Sequence, residues 1–359
     1  MWSGTHYNIY KCLLSIGEVE VLGPYSPNLR LFLAKLLNQF YLLFFKKRFS
    51  YRHSSFISKA YANYFEKKLK VNTFDYIVAP AASCELAYLK TKIPIISISD
   101  GTFAGCLNYH KALSHLISSS VKDGNLVEQN AIAKSTFTIV SSQWAANSVL
   151  KDYDCAPEKL FIIPFGANFE KIPSSTELFF EAPKIWKLLF VAVYWDTKGG
   201  EYAYNCFKIL LDKGYEVELT VLGCQPPSRF LHPKLNVISF IDKNNTEGQK
   251  QLYKIFIEHH LLILPTRFDC TPIVINEASA FGMPCLVAKT GGVEGHLKEN
   301  VNGFLMDYND TGKGYAEQIE KLIILPENYI ALRKSSRALY EQKLNWENWK
   351  TEFLKIIKH

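Results

Sequence analysis

Between residues 261 and 292 the chain reads strand, loop, helix, strand, glycine turn, and no other stretch limits the fold as tightly. Leu261, Leu262, Ile263 and Leu264 form an unbroken apolar run, as a parallel strand covered on both faces requires. Pro265 to Pro272 is a polar loop, and Ile273 to Phe281 has helical character until Gly282-Met283-Pro284 stops it. Cys285 to Ala288 is a second buried strand, ended by Gly291-Gly292. Two carboxylates, Asp269 and Glu277, flank the loop–helix junction. A helix start offers unpaired N–H groups and the positive end of a dipole, which suits an anion such as a diphosphate.

The same rhythm runs from end to end, which predicts an α/β protein with parallel sheets. In the first half, strands are expected at Val19–Leu22, Tyr76–Pro80, Ile95–Ile98, Phe137–Ser141 and Leu160–Ile163. In the second they are expected at Leu188–Val193, Val217–Gly223, Asn236–Ile241, Leu261–Leu264, Cys285–Ala288 and Phe304–Met306. Helices are expected near 30–45, 55–70, 84–91, 107–119, 125–134 and 142–151, then near 199–213, 246–258, 273–281, 313–324, 328–343 and 346–357. A polar stretch over 169–185, with Pro173 and Pro183, reads as a linker between domains at 1–168 and 186–340. Residues 341–359 form a final helix with Trp346 and Trp349, which either crosses back to the first domain or caps its own. Ser3-Gly4-Thr5 already looks like the turn after a first strand, so that strand is missing: the chain is incomplete there or another segment substitutes.

Charge is uneven. Residues 1–168 hold 18 Lys/Arg against 11 Asp/Glu, whereas the remainder holds 23 of each. Residues 30–70 carry ten basic side chains and one acid, Glu66. The window from Leu31 to Phe45, followed by Lys46-Lys47-Arg48, is too short and too polar to span a bilayer. It reads either as a basic amphipathic helix lying on an anionic membrane or as a helix packed on its own sheet. No motif supports nucleic-acid binding. The eight cysteines lack CxxC or finger spacing and read as thiols in a reducing compartment. No signal peptide is visible, so a cytoplasmic location is expected, peripheral on the inner face of a membrane if the basic segment binds one.

Three further loops carry chemistry. After the Leu188–Val193 strand come Trp195, Lys198, Gly199 and Gly200: a compact charge suited to phosphate, beside glycines that let backbone approach it. Gly223-Cys224-Gln225-Pro226-Pro227 and Ile241-Asp242-Lys243-Asn244-Asn245 follow the next two strands and read equally as ligand-framing loops or ordinary turns. Asp100 ends the Ile95–Ile98 strand and either handles a hydroxyl or caps the next helix. Ser83 and Glu85 are weaker candidates. His259 and His260 read as packing residues, and no histidine cluster or Asp-x-Asp pair suggests a metal.

The second half resembles a family-4 glycosyltransferase, a retaining enzyme of the GT-B fold. That family carries Glu, seven residues, Glu, a small-residue helix, Gly-x-Pro, a strand and Thr-Gly-Gly. Here the pattern is Asp269, seven residues, Glu277, Gly282-Met283-Pro284 and Thr290-Gly291-Gly292. Asp269 keeps the charge of the family's Glu but is one methylene shorter. Trp195-Asp196-Thr197-Lys198-Gly199-Gly200 resembles one branch of the family, with Thr197 where an arginine is expected. Trp2-Ser-Gly-Thr5, Ser99-Asp-Gly-Thr-Phe103 and Pro164-Phe-Gly-Ala-Asn168 agree with the same branch.

The resemblance implies two Rossmann-like domains facing across a cleft, with retained anomeric configuration and no cofactor or metal. The donor is a UDP-, GDP- or ADP-sugar and the acceptor a glycan or lipid-linked molecule. Lys198 is expected on the diphosphate, with Arg267 replacing the absent arginine, Asp269 on the sugar and Glu277 on the ribose. Gly4, Gly223, the backbone over Cys270, Thr271, Pro272 and Ile273, and the Thr290-Gly291 turn complete the donor site, while Asp100 stands where the family often has a histidine. The alternative is a degenerate protein that binds the nucleotide sugar without turnover.

Overall fold

A computed structural model describes residues 4–358. The chain packs as two units. One is Leu13–Ile163, and the other is Pro164–Lys358 together with the described N-terminal residues up to Cys12. In chain order the first-half elements are α1 (Thr5–Leu14), α2 (Asn28–Phe45), α3 (Ser55–Lys68), β1 (Ile77–Pro80), α4 (Ser83–Leu86), β2 (Ile95–Ser99), α5 (Phe103–Cys106), α6 (Ser118–Lys134), β3 (Phe137–Val140), α7 (Gln143–Asp152) and β4 (Leu160–Ile162). The second half continues with β5 (Trp186–Val191), α8 (Gly200–Asp212), β6 (Val217–Leu222), β7 (Leu235–Ile238), α9 (Thr246–Glu258), β8 (Leu261–Leu264), α10 (Ile273–Ala280), β9 (Cys285–Ala288), β10 (Gly303–Met306), α11 (Lys313–Ile324), α12 (Pro326–Gln342) and α13 (Trp346–Ile357).

The Leu13–Ile163 unit holds a parallel sheet in the order β1-β2-β3-β4. The expected strand at Val19–Leu22 does not form. Glu18 and Glu20 interrupt the apolar residues, Val21 is 64% exposed, and the segment joins no sheet. The helix expected over 107–119 is also absent. Asn108 and His115 adopt left-handed backbone at φ 55° and 57°, which breaks a right-handed helix at both ends, and only a 3-10 turn at Lys111–Leu113 survives. The helix expected over 84–91 shrinks to the single turn α4.

In the other unit the sheet order is β10-β9-β8-β5-β6-β7, all parallel. Strand order therefore reverses between β5 and β8, which are neighbours through Leu188–Leu261 and Leu189–Leu262. Alternate residues serve opposite faces. Leu188, Phe190, Leu261 and Ile263 pack with Ala203, Cys206 and Phe207 of α8 and with Tyr315 and Ile319 of α11. Leu189, Leu262 and Leu264 pack with Leu252 and Phe256 of α9 and with Ile275 and Ala278 of α10. Thus α8, which follows β5, and α10, which follows β8, leave for opposite faces. Their connecting loops diverge at the carboxyl ends of two adjacent strands, the position where doubly wound sheets form a ligand crevice.

Candidate functional site

The site is built where those two loops part. Gly199 has φ +74°, and a Cβ placed on it would lie 2.0 Å from the Pro265 carbonyl oxygen, so only glycine lets the β5–α8 loop lie against the end of β8. The Arg267 N–H donates to the Thr197 carbonyl at 2.9 Å and ties the loops together. Lys198 then reaches across: its Nζ donates to the Phe268 carbonyl at 3.2 Å and lies 2.5 Å from Asp269 Oδ2. Asp269 is buried, and burial raises its carboxyl pKa while the Lys198 ammonium opposes the rise. Its carbonyl accepts from the Gly292 N–H at 3.0 Å, which anchors the Thr290-Gly291-Gly292 turn. Gly291 takes φ +51° there.

Helix α10 starts at Ile273, as the sequence suggests, because Pro272 occupies the N-cap position with non-helical backbone. The chain from Cys270 to Pro272 is therefore loop, fastened by the Ile273 N–H to the Thr271 carbonyl at 2.9 Å. Glu277 is 4% exposed inside α10. Its Oε1 has no hydrogen-bond partner among the described residues, and Lys243 Nζ stands 3.7 Å away. Burial raises its pKa, partly offset by Lys243. Lys243 lies in the Ile241–Asn245 loop, which the sequence left open between a ligand-framing loop and an ordinary turn; its pairing with Glu277 was not anticipated.

Arg267 is fixed between two rings, Tyr202 at 4.6 Å and Tyr308 at 4.4 Å. Its Nε donates to the Pro265 carbonyl at 3.0 Å and its Nη1 to the Tyr308 carbonyl, which leaves Nη2 buried without a hydrogen-bond partner among the described residues. Gly223 (φ +98°) sits where a Cβ would meet the Ala192 carbonyl at 2.7 Å, so it draws the ends of β6 and β5 together. Gly4 (φ +87°) lies against the Asn168 side chain, which also accepts from Asn8 Nδ2 at 2.9 Å. Nearby in sequence, the Phe165 carbonyl accepts from Asn276 Nδ2 at 2.7 Å, one residue before Glu277. Asn276 also bonds the buried His296, whose imidazole is pushed down to about 3 by burial. This Asn276–His296 pair is a second feature that gave no sequence signal.

The structure thus brings Lys198, Asp269, Cys270 to Ile273 and the Thr290-Gly291 turn into one loop cluster, with Arg267 against the same loops. Glu277 lies within α10 and pairs with Lys243. Asp100 belongs to the other unit, half-buried at the end of β2. It does not cap the following helix: Thr102 does so, accepting from the Gly105 N–H at 2.9 Å. Ser83 donates to the buried Glu128 at 3.0 Å. His259 spans the Ile255 carbonyl and Thr220 Oγ1, and His260 accepts from the Lys187 N–H, both as packing residues. Among the described residues no group of three or more His, Cys, Asp or Glu side chains could hold a metal ion.

Residues 177–339 match the family described as glycosyl transferases group 1. Over 251 residues the chain is 22% identical to a D-inositol 3-phosphate glycosyltransferase of Corynebacterium diphtheriae, a match covering 64% of this chain and 57% of that relative. The chain spans between 51% and 66% of the length of the curated relatives it matches in this range. Among solved structures it is similar to sucrose-phosphate synthase from Thermosynechococcus elongatus, with a TM-score of 0.63 at 14% identity, over 84% of this chain and 77% of that one. It is also similar to Anabaena HepE in complex with UDP and glucose, with a TM-score of 0.62 at 14% identity, over 84% and 81%. At these identities the likeness shows the fold: α/β, with parallel sheets in two Rossmann-like domains, as in GT-B glycosyltransferases.

Proposed function

We propose that this chain is a glycosyltransferase that moves a sugar from a nucleoside diphosphate sugar to a glycan or lipid-linked acceptor, with retention at the anomeric carbon. The observation that carries the reading is the Lys198–Asp269 pair astride the β5/β8 reversal, together with the buried Glu277 Oε1, which faces Lys243 at 3.7 Å and makes no hydrogen bond among the described residues. The family match over 177–339 supports it, as does the likeness in fold to HepE, whose structure holds UDP and glucose.

In this reading the bond from the anomeric carbon to the diphosphate breaks and an acceptor oxygen bonds to the same face. Negative charge develops on the leaving diphosphate. Lys198, the loop from Cys270 to Ile273 and the Thr290-Gly291 turn lie together to meet that charge, which is electrostatic stabilisation without a metal. Arg267 Nη2 is a further donor, in place of the arginine that Thr197 replaces. Asp269 accepts from sugar hydroxyls, and Glu277 Oε1 takes a ribose hydroxyl. Gly4 and Gly223 let backbone come close to the donor. Asp100 orients the acceptor hydroxyl or takes its proton. The reading includes an anionic membrane as a partner of residues 30–70.

The test is release of nucleoside diphosphate from UDP-, GDP- and ADP-sugars by the purified chain, with donor binding followed by calorimetry. Turnover with one donor, lost in Glu277→Ala while the thermal unfolding curve is kept, is expected. Tight donor binding without release, across glycan and lipid extracts, would make the chain a degenerate binding protein.

A further inference from the structure

Helix α2 is turned inside out. Of its 18 residues only Ala34 is buried. At 100° per residue, Leu29, Phe32, Leu33, Leu36, Leu37, Phe40, Leu43 and Phe44 fall within an arc of about 140°. No polar residue interrupts that arc, and all eight side chains are exposed, Leu29 and Leu43 to 74% and Phe44 to 71%. Eight side chains of this size, each roughly half exposed, leave on the order of 800 Å² of apolar surface, above the ~300–600 Å² of the largest patch on a typical monomer. The opposite side of the helix is the one that packs. Arg30 Nη1 donates to the Phe56 carbonyl at 2.7 Å with its guanidinium over the Phe56 ring, and Asn38 Oδ1 accepts from the Phe49 N–H at 2.9 Å. The helix is thus held in place by its polar edge with its apolar face outward.

Charge at its end identifies the occupant. The helix stops at Lys46, which takes φ 52°, and Lys47 and Arg48 follow. From Val21 to Phe65 the chain has no Asp or Glu, while it has Arg30, Lys35, Lys46, Lys47, Arg48, Arg52 and Lys59. A second copy meeting this face would set acid-free basic surfaces against each other with no counter-charge. An anionic bilayer supplies both what the arc lacks and what the basic end lacks. No helix among the described residues is long and apolar enough to cross a membrane, and Arg30, Lys35, Asn38 and Gln39 border or oppose the arc, so the geometry is that of a helix lying in the interface.

We propose that α2 is an insertion helix that seats the Leu13–Ile163 unit on anionic membranes by burying its Leu29–Phe44 face in the acyl boundary, with Lys46, Lys47 and Arg48 on the headgroups. This deepens the membrane partner named for residues 30–70, and its readout needs no sugar donor, so failure here leaves the transferase reading standing. The full chain is floated with vesicles of phosphatidylcholine alone and of phosphatidylcholine with phosphatidylglycerol. It is expected to rise with the anionic vesicles, and a Leu36→Trp reporter to shift to the blue and be quenched by brominated acyl chains. Phe40→Asp with Leu43→Asp, both at exposed positions, should abolish flotation and leave the circular dichroism spectrum unchanged. Each basic residue near the surface is worth on the order of fivefold in binding, so neutralising Lys46, Lys47 and Arg48 together should weaken it roughly a hundredfold. The proposal is overturned if the wild-type chain ignores anionic vesicles. It is equally overturned if Leu36→Trp stays solvent-quenched on them, or if light scattering shows a dimer that Phe40→Asp with Leu43→Asp dissolves.

Discussion

Replacing Lys198 by methionine tests the centre of the candidate site. The ammonium lies 2.5 Å from Asp269 Oδ2, with side-chain exposures of 25% and 11%. Removing one member of a buried pair costs roughly 3–5 kcal/mol, because the remaining charge is stranded. Lys198 is a quarter exposed and partly solvated, which lowers the expected loss to about 2–3 kcal/mol. The reverse change is milder. In Asp269→Asn, Lys198 keeps the Phe268 carbonyl at 3.2 Å and can turn to water, so about 1 kcal/mol is expected, and about the same for the double variant. The resulting coupling, about 2–3 kcal/mol, has a pH signature. Burial already raises the Asp269 pKa and Lys198 holds it back, so losing Lys198 raises it further. An acid whose folded pKa exceeds its unfolded value binds more protons when folded, and stability falls as pH rises through that window. The Lys198→Met penalty should therefore be small near the ordinary aspartate range and grow to a plateau above the raised value. Urea unfolding of all four proteins, followed by tryptophan fluorescence between about pH 4 and 8, measures it. A penalty flat in pH, or an Asp269→Asn loss equal to that of Lys198→Met, would refute the argument.

Two other outcomes follow from the same geometry. Gly199→Ala forces a Cβ to within 2.0 Å of the Pro265 oxygen at φ +74°, so the loop must move and carry Lys198 with it; a lower Tm with at least a tenfold loss of donor turnover is expected, and an unchanged Tm would contradict the close approach. Glu128, buried and bonded by Ser83 and the Phe103 N–H, has its carboxyl pushed up to about 7, so its contribution is lost as pH rises through 4.5 to 7. Glu128→Gln should match the wild type in urea at low pH and exceed it by up to about 3 kcal/mol above the window, and parallel pH profiles would reject that assignment.

Where burial is complete, the sequence is explicit. Leu261–Leu264 and Cys285–Ala288 are continuous apolar runs, and both strands form within those bounds, because a parallel strand covered on two faces has no polar side to blur it. Lys198 and Asp269 were legible for the opposite reason: charges in loops that follow such strands. The pairing of Lys243 with Glu277 was not, since it joins residues 34 apart in the chain through a loop whose composition fits a turn as well as a ligand site. Asn108 and His115 hid the break in the 107–119 segment, as neither is a residue type that announces positive φ the way glycine does. For α2 the periodicity was visible, but a hydrophobic stripe does not say whether it faces a sheet or solvent; only the packing of Arg30 and Asn38 decides that.

Under the transferase reading, the pairing of Lys198 with Asp269 also bears on selectivity. Divergence of α8 and α10 opens the crevice, and the ion pair crosses it before any donor arrives. A simple anion gains little from an ammonium already neutralised at 2.5 Å, because it must compete with a fixed carboxylate. A nucleotide sugar differs, since its sugar hydroxyls can donate to Asp269 while its diphosphate shares Lys198, so the carboxylate stays satisfied. The same holds at Glu277, whose buried Oε1 makes no hydrogen bond among the described residues: such an oxygen costs about 1–3 kcal/mol, which Lys243 at 3.7 Å offsets in part and a ribose hydroxyl would recover. Recognition would then depend on hydroxyls and phosphates arriving together, which disfavours inorganic phosphate and diphosphate while admitting the intact donor.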